Sequence, residues 1–151
     1  MKMVIQRVSR AEVRVEGETV GRIGTGYLVL VGLERGDGTE QVDRAAAKVA
    51  GLRAFEDDRG RLNRDLADVG GAVLAVSQFT LAGSIRRGRR PGFDRALPGL
   101  KAEPLFDRFV QRLRGTGLPV ETGVFGAMME VELVNQGPVT LLWDDPPGEG
   151  E

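Results

Sequence analysis

The chain has 151 residues, 28% of them charged and 41% hydrophobic, with a formal net charge of −1 and neither histidine nor cysteine. A chain of this size buries roughly 70% of the surface its unfolded form exposes, so one core can stand without staples. The near-neutral charge excludes a protein that coats nucleic acid through bulk electrostatics, and the missing residue types exclude Ser-His and Cys-His catalysis, disulfides and the usual zinc sites.

From the amino end, Met1 to Arg7 turns polar too soon for a signal peptide. Val13 and Val15 alternate with Glu12, Arg14 and Glu16, which predicts a half-buried strand. Gly17 marks a turn, and Val20 and Ile23 form the return arm of a hairpin. Residues 27–33 are a continuous apolar run, the pattern of a strand covered on both faces. That run is far short of the ~20 residues a membrane helix needs, and the cytoplasm is the expected location.

Asp37, followed by Glu40, reads as a capping box for a helix over 39–52, with Val42, Ala45, Ala46 and Val49 at helical spacing. A short hairpin is expected over 55–63, turning at Asp57-Asp58-Arg59-Gly60. Residues 73–76 form a second buried strand that runs into Ser77-Gln78-Phe79-Thr80-Leu81. Residues 82–99, rich in Gly, Pro and Arg, read as a long basic loop. Pro104 suits the first position of a second helix, with Leu105, Phe106, Phe109, Val110 and Leu113 on its apolar face and Gly115 at its end. Val131 and Leu133, then Val139, Leu141 and Trp143, read as two closing strands joined across Asn135-Gln136-Gly137-Pro138. The order predicts an α/β fold: a mixed β-sheet core, barrel-like and layered, with two main helices packed on it. Residues 1–145 form a single domain in this reading, and 146–151 a frayed tail.

Two segments break the local rules of their strands, and such breaks are where function sits. Ser77, Gln78 and Thr80 put hydroxyls and an amide at a strand's carboxyl end, where open α/β sheets bind ligands, although such residues also simply terminate strands. Gly137-Pro138 interrupts a strand with a residue that cannot donate to the ladder; taken alone it is punctuation. Arg86, Arg87, Arg89 and Arg90 gather four planar guanidinium forks suited to phosphate on one loop, in a chain where arginine is the dominant cation. Phe125, Gly126, Ala127 and Met129 offer a flat slot for a base, although core packing is the commoner use of Met and Phe at this spacing. Asp57-Asp58 and Asp144-Asp145 are the acid pairs a magnesium ion would need, yet beside Gly and Pro they read as turns, and no metal or cofactor is expected. Proton transfer falls to carboxylates, lysine, Tyr27, water or the substrate.

Taken in register, Ile5-Gln6-Arg7-Val8, Ser77-Gln78-Phe79-Thr80-Leu81, Gly88-Arg89-Arg90-Pro91, Phe125-Gly126-Ala127-Met128-Met129 and Asn135-Gln136-Gly137-Pro138-Val139-Thr140 closely resemble the D-aminoacyl-tRNA deacylase family. The likeness spans nearly the whole chain. Gly92, where a Ser is usual, and Phe106, where a Tyr is usual, are modest departures. The resemblance implies a homodimeric editing enzyme that acts on the acceptor end of aminoacylated tRNA; no DNA or membrane partner is expected. It implies a cis Gly137-Pro138 bond that enters the partner subunit's site and excludes L side chains, with Arg7 helping to hold that loop. Residues 77–80 would surround the scissile ester, with backbone amides near Phe79 and Thr80 available to an oxyanion; Phe125 and Met129 would lie near the terminal adenosine. Hydrolysis assisted by the substrate's 2′-hydroxyl is favoured over Thr80 as covalent nucleophile, because no base is at hand to activate a threonine. Glycyl-tRNA is an expected second substrate. The other readings are a dimeric RNA-binding module without catalysis and an esterase for small molecules.

Overall fold

The computed structural model describes residues 1–147; residues 148–151, and with them most of the expected tail, lie outside the described residues. Strand β1 (Lys2–Val15) buries Met3 and Ile5 on one face and then, past the exposed Ser9 and Arg10, buries Ala11 and Val13 in a second cluster. Glu16 and Gly17, both at positive φ, make the tight turn into β2 (Glu18–Ile23), which returns antiparallel along the second half of β1. Strand β3 (Gly26–Gly32) pairs antiparallel with the first half of β1.

Helix α1 (Thr39–Gly51), the small hairpin of β4 (Phe55–Glu56) and β5 (Leu62–Arg64), and the single turn α2 (Leu66–Val69) carry the chain to β6 (Ala72–Ser77). A 3₁₀ turn (Phe79–Ala82), helix α3 (Gly99–Gly115), β7 (Val120–Thr122) and β8 (Glu130–Asp144) complete the order. The main sheet runs β2-β1-β3-β6-β7, with β3, β6 and β7 parallel, and β8 lies antiparallel along β1.

The two-residue period of the strands divides the core. Tyr27, Val29 and Val31 of β3 and Val73 and Ala75 of β6 face the helices, meeting Val42, Ala45 and Val49 of α1 and Phe106, Phe109 and Leu113 of α3. Leu28, Leu74 and Val76 point the other way, into a cluster with Val8, Ala11, Val13 and Ile23. Both faces of β3 and β6 are covered, which is why these strands read as unbroken apolar runs. The sheet curls until its ends nearly meet: a Cβ on Gly21 of β2 would lie 2.4 Å from the Thr122 carbonyl oxygen of β7. The architecture is therefore the expected mixed, barrel-like sheet with two main helices on it, clamped to each other by Arg108, whose Nε and Nη2 bond the Asp43 carboxylate at 2.8 and 2.9 Å.

Three local expectations are corrected. Asp37 does not cap α1: its carboxylate accepts the Glu34 N–H at 2.7 Å and holds the Met1 ammonium at 2.9 Å. Gly38 is the cap residue, and Gln41, not Glu40, completes the box by accepting the Gly38 N–H at 2.8 Å. Helix α3 begins at Gly99, five residues before Pro104, because the Pro98 carbonyl accepts the N–H groups of both Lys101 and Ala102 at 2.9 Å. Pro104 then costs only the bond to Leu100, close to the open helix start. Finally, residues 135–138 do not join two strands. β8 is continuous, and between the pairs Gln6↔Thr140 and Val8↔Asn135 residues 136–139 bulge out opposite Arg7 alone.

Candidate active site

The site is built where β6 ends. Gln78 N–H continues the parallel pairing to the Val31 carbonyl at 2.7 Å, and the chain then turns, with Leu81 N–H to Gln78 O at 3.1 Å. The amides of Phe79 and Thr80 precede that first bond of the turn and are not consumed by it. A glycine is required beneath: a Cβ on Gly32 would meet Leu81 Cβ at 2.7 Å and Gln78 O at 3.1 Å. Ser77 and Gln78 are half-buried, Phe79 and Thr80 exposed, and the Gln78 side-chain amide donates to the Thr80 hydroxyl.

The opposite wall is residues 125–129. Phe125 leans on Phe106 of α3 with ring centroids 6.2 Å apart, and Gly126, at φ +75°, turns the chain so that Met128 and Met129 follow along the same wall. Between the walls lies a cleft of about 880 Å³ with Leu33, Val76, Ala102 and Val131 among its lining. That is room for a ligand larger than a free amino acid.

Ser77, Gln78, Phe79 and Thr80 are thus brought together with Phe125, Gly126, Ala127 and Met129. Arg7, Gly137 and Pro138 are not among the residues lining this cleft. They form a second constellation on the bulge of β8. Arg7, only 7% exposed, donates from Nε to Gln136 O and from Nη1 to Ala54 O, both at 2.9 Å. Asn135 accepts the Val139 N–H at 2.8 Å and donates to the Thr140 hydroxyl at 2.8 Å. The Gly137-Pro138 peptide so held is cis, and both residues are exposed.

Arg86, Arg87 and Arg90 surround a separate concavity of about 510 Å³ with Ser84, Gly92 and Asp94; Arg89 is not part of its lining. Paired bonds of 2.8 Å between Ser84 and Gly92 close this hairpin, and Phe93 at its base meets Phe79 edge-on at 5.3 Å. None of the four arginines forms an ion pair among the described residues, whereas Arg7, Arg10, Arg14, Arg22, Arg64, Arg108 and Arg112 all do.

Tyr27 is removed from the list of proton carriers. It is 0% exposed, its hydroxyl donates to Leu52 O at 2.9 Å and accepts from Ala54 N–H at 3.2 Å, and burial pushes its pKa up to about 12. Asp57-Asp58 lies in the turn of the β4–β5 hairpin, whereas Asp144 is the last residue of β8, opposite Lys2, and not part of a turn. Asp57 accepts the N–H groups of Arg59 and Arg61, Asp58 pairs with Arg64, and Asp145 pairs with Arg44. Arg61 and Arg59, through those N–H bonds, hold the Asp57 carboxyl below its usual range.

Sequence reasoning missed Leu33, Arg35, residues 96–99 and Met128 in the lining, and Phe106 behind Phe125. Met128 lies inside the Phe125–Met129 motif and could have been included on that ground. The others converge through Arg35 N–H to Arg95 O at 2.8 Å and Leu97 N–H to Leu33 O at 3.0 Å, contacts with no local signature.

A parallel-strand end that carries hydroxyls, with the turn amides of Phe79 and Thr80 free of backbone partners among the described residues, lines a large, mostly apolar cleft together with Phe125. The model of the D-Tyr-tRNA(Tyr) deacylase family matches residues 4–144. The D-aminoacyl-tRNA deacylase of Symbiobacterium thermophilum is 62% identical, and that of Geobacter sulfurreducens 56%, each match covering 95% of both chains. Among solved structures, the c-Myc DNA Unwinding Element Binding Protein superposes with a TM-score of 0.90 at 39% identity, covering 97% of this chain and 99% of that one. A probable eukaryotic D-amino acid tRNA deacylase, at 18% identity and TM-score 0.81, covers 95% of this chain and 98% of its own and shares the fold. The chain belongs to the D-Tyr-tRNA(Tyr) deacylase family, and on that membership it is a hydrolase. No helix among the described residues is long and apolar enough to cross a membrane.

Proposed function

We propose that this enzyme hydrolyses the ester joining a D-amino acid to the terminal adenosine of tRNA, releases free tRNA and amino acid, and leaves L-aminoacyl-tRNA intact. The cleft carries the reading: residues 77–80, with their hydroxyls and turn amides, and Phe125 line the same space of about 880 Å³. An adenine stacks on Phe125 beside the side-chain-free Gly126, as bases do on aromatic platforms.

Water attacks the ester carbonyl carbon, and the carbonyl oxygen becomes an oxyanion facing the Phe79 and Thr80 amides. A donor of this kind is typically worth about 3 kcal/mol. The proton lost by the water passes through the vicinal ribose hydroxyl to the leaving ribose oxygen as the acyl C–O bond breaks. The lining favours this route: it contains no carboxylate, lysine or tyrosine to act as base. Thr80 as nucleophile is disfavoured for the same reason, since its hydroxyl faces the Gln78 amide, which cannot take a proton.

Handedness is read by Gly137-Pro138 of a second copy of the chain, in a homodimer. Two observations support this. The bulge is rigidly tied yet exposed and away from its own cleft. The outer edge of β8 is unpaired among the described residues and exposes Val134, Leu141 and Leu142, the last to 81%. A wedge of main chain that clashes with an L substituent has nothing to push against in glycine, so glycyl-tRNA is also cleaved. Arg86, Arg87, Arg89 and Arg90 supply phosphate contacts to the tRNA.

Deacylation of D-tyrosyl-tRNA beside L-tyrosyl-tRNA tests the reading. Cleavage of the D form alone is expected; equal cleavage of both, or of neither, overturns it. Replacing the terminal 2′-hydroxyl by hydrogen should abolish turnover, and undiminished cleavage would remove the RNA-assisted route. Thr80→Val should leave chemistry largely intact; its loss with binding preserved would favour the covalent route.

A further inference from the structure

We infer that Arg35 is a phosphate-binding residue of the cleft, gripping the phosphodiester on the 5′ side of the substrate's terminal adenosine. This rests on the reading of the cleft as an aminoacyl-adenosine pocket. Arg35 is the only charged side chain among the residues lining that cleft. It is held in place before any ligand arrives. Its backbone N–H bonds Arg95 O at 2.8 Å, its Nε bonds Asp94 O at 2.9 Å, and its neighbour Glu34 bridges to Ala96.

Those anchors use Nε and leave Nη1 and Nη2 with no hydrogen-bond or ion-pair partner among the described residues. Arg35 also borders a smaller concavity with Glu34, Asp94 and Asp144, but pairs with none of these carboxylates; the Glu34 carboxylate is engaged by the Met1 ammonium at 3.4 Å. An exposed guanidinium with its plane fixed and its outer N–H groups unspent is suited to two oxygens of one phosphate.

The ligand supplies the matching anion. An adenosine esterified at its ribose and joined to a preceding nucleotide carries one phosphodiester at its 5′ carbon, away from the ester. In an otherwise uncharged, largely apolar cleft, Arg35 is the group available to receive it. The placement also continues outward: Asp94, whose carbonyl anchors Arg35, borders the concavity of Arg86, Arg87 and Arg90. Arg35 thus lines the cleft and is bonded to a residue that lines the concavity of the basic hairpin.

The test compares three D-tyrosyl esters, one on adenosine, one on the methyl phosphodiester of adenosine 5′-phosphate, which adds a phosphodiester without a second nucleoside, and one on cytidylyl-(3′→5′)-adenosine; the two phosphate-bearing esters should behave alike. Wild-type enzyme should show a KM about tenfold lower for the phosphate-bearing esters, the scale of one charge-assisted hydrogen bond. Arg35→Gln should erase that difference with kcat unchanged, and Arg35→Lys should restore part of it. On full-length aminoacyl-tRNA, Arg35→Gln should also reduce the salt slope of log KM by about 1. The inference is overturned if wild type does not distinguish the methyl phosphodiester from the adenosine ester, or if either variant raises KM for all three equally, the mark of a prop for residues 94–95. Should wild type cleave none of the esters and no D-tyrosyl-tRNA, the reading of the cleft fails first and takes Arg35 with it.

Discussion

The cleft and the β8 bulge are built on opposite principles. The cleft draws on the segment after β3, β6, the 3₁₀ turn, α3 and the segment before β8, and its polar groups come from side chains and turn amides on a buried scaffold. The bulge is four residues opposite one, held by Arg7, Asn135 and Thr140, and its exposed residues are Gln136, the side-chain-free Gly137 and Pro138. One region is lined by a single chain; the other is exposed to solvent at Gly137 and Pro138. Under the proposed function the first performs chemistry on any ester seated in it, and the second decides which handedness is seated. Main chain suits the second task, because its shape is the same whatever side chain the accepted amino acid carries.

The separation can be broken at either end. Gly137→Ala strikes the selector: at φ +133° the new Cβ would meet Arg7 Nη2 and Val139 Cγ2, each at 2.9 Å. Displacing the bulge should lower D-tyrosyl-tRNA deacylation by about 100-fold, as misplacement by about an ångström commonly does, while adenosine binding in the cleft stays unchanged. Gly32→Ala strikes the cleft from below, through Leu81 and Gln78. It should lower kcat by about tenfold to a hundredfold and leave the D-to-L ratio of rates where it was. Parallel loss of selectivity in that variant would mean the two regions are one.

Smaller effects sharpen the picture. Phe125→Leu should raise KM about tenfold with kcat preserved, matching the loss of one base–aromatic stack of ~1–3 kcal/mol. Arg7→Lys can keep a single bond where Arg7 makes two to carbonyls, so L-tyrosyl-tRNA cleavage should rise several-fold above its wild-type trace. Tyr27→Phe should cost about 1 kcal/mol of stability and leave kcat alone. It also carries a pH signature. The folded phenol titrates near 12 against an ordinary 10.0, so its neutral form is favoured by the fold. The corresponding stability is whole below pH 10 and is lost as pH rises toward 12. Denaturation midpoints measured across that window should fall less steeply in Tyr27→Phe than in wild type.

Legibility in the sequence follows the same division. The buried strands and both main helices are legible because their periodicity reports local burial, and residues 77–80 stand out because polar groups break an apolar run. Boundaries fail where a distant partner intervenes: Asp37 is taken by the Met1 ammonium, and α3 is started by the Pro98 carbonyl rather than by Pro104. The bulge reads as a connection between two strands because Gly-Pro looks like a turn; only the pairing of Val8 with Asn135 and Gln6 with Thr140 reveals one continuous strand. Arg35 leaves no trace in the sequence, since its value comes from Asp94 and Arg95, far along the chain.

Subunit mixing tests the central claim most directly. One variant would carry Gly32→Ala, with a disabled cleft and an intact bulge; the other Gly137→Ala, with an intact cleft and a disabled bulge. If the bulge acts on the other copy's cleft, unfolding and refolding the two together should restore selective D-tyrosyl-tRNA cleavage to about a quarter of wild type, since half the dimers would be mixed and each would hold one sound site. Activity that stays at the level of the separate variants would contradict the account.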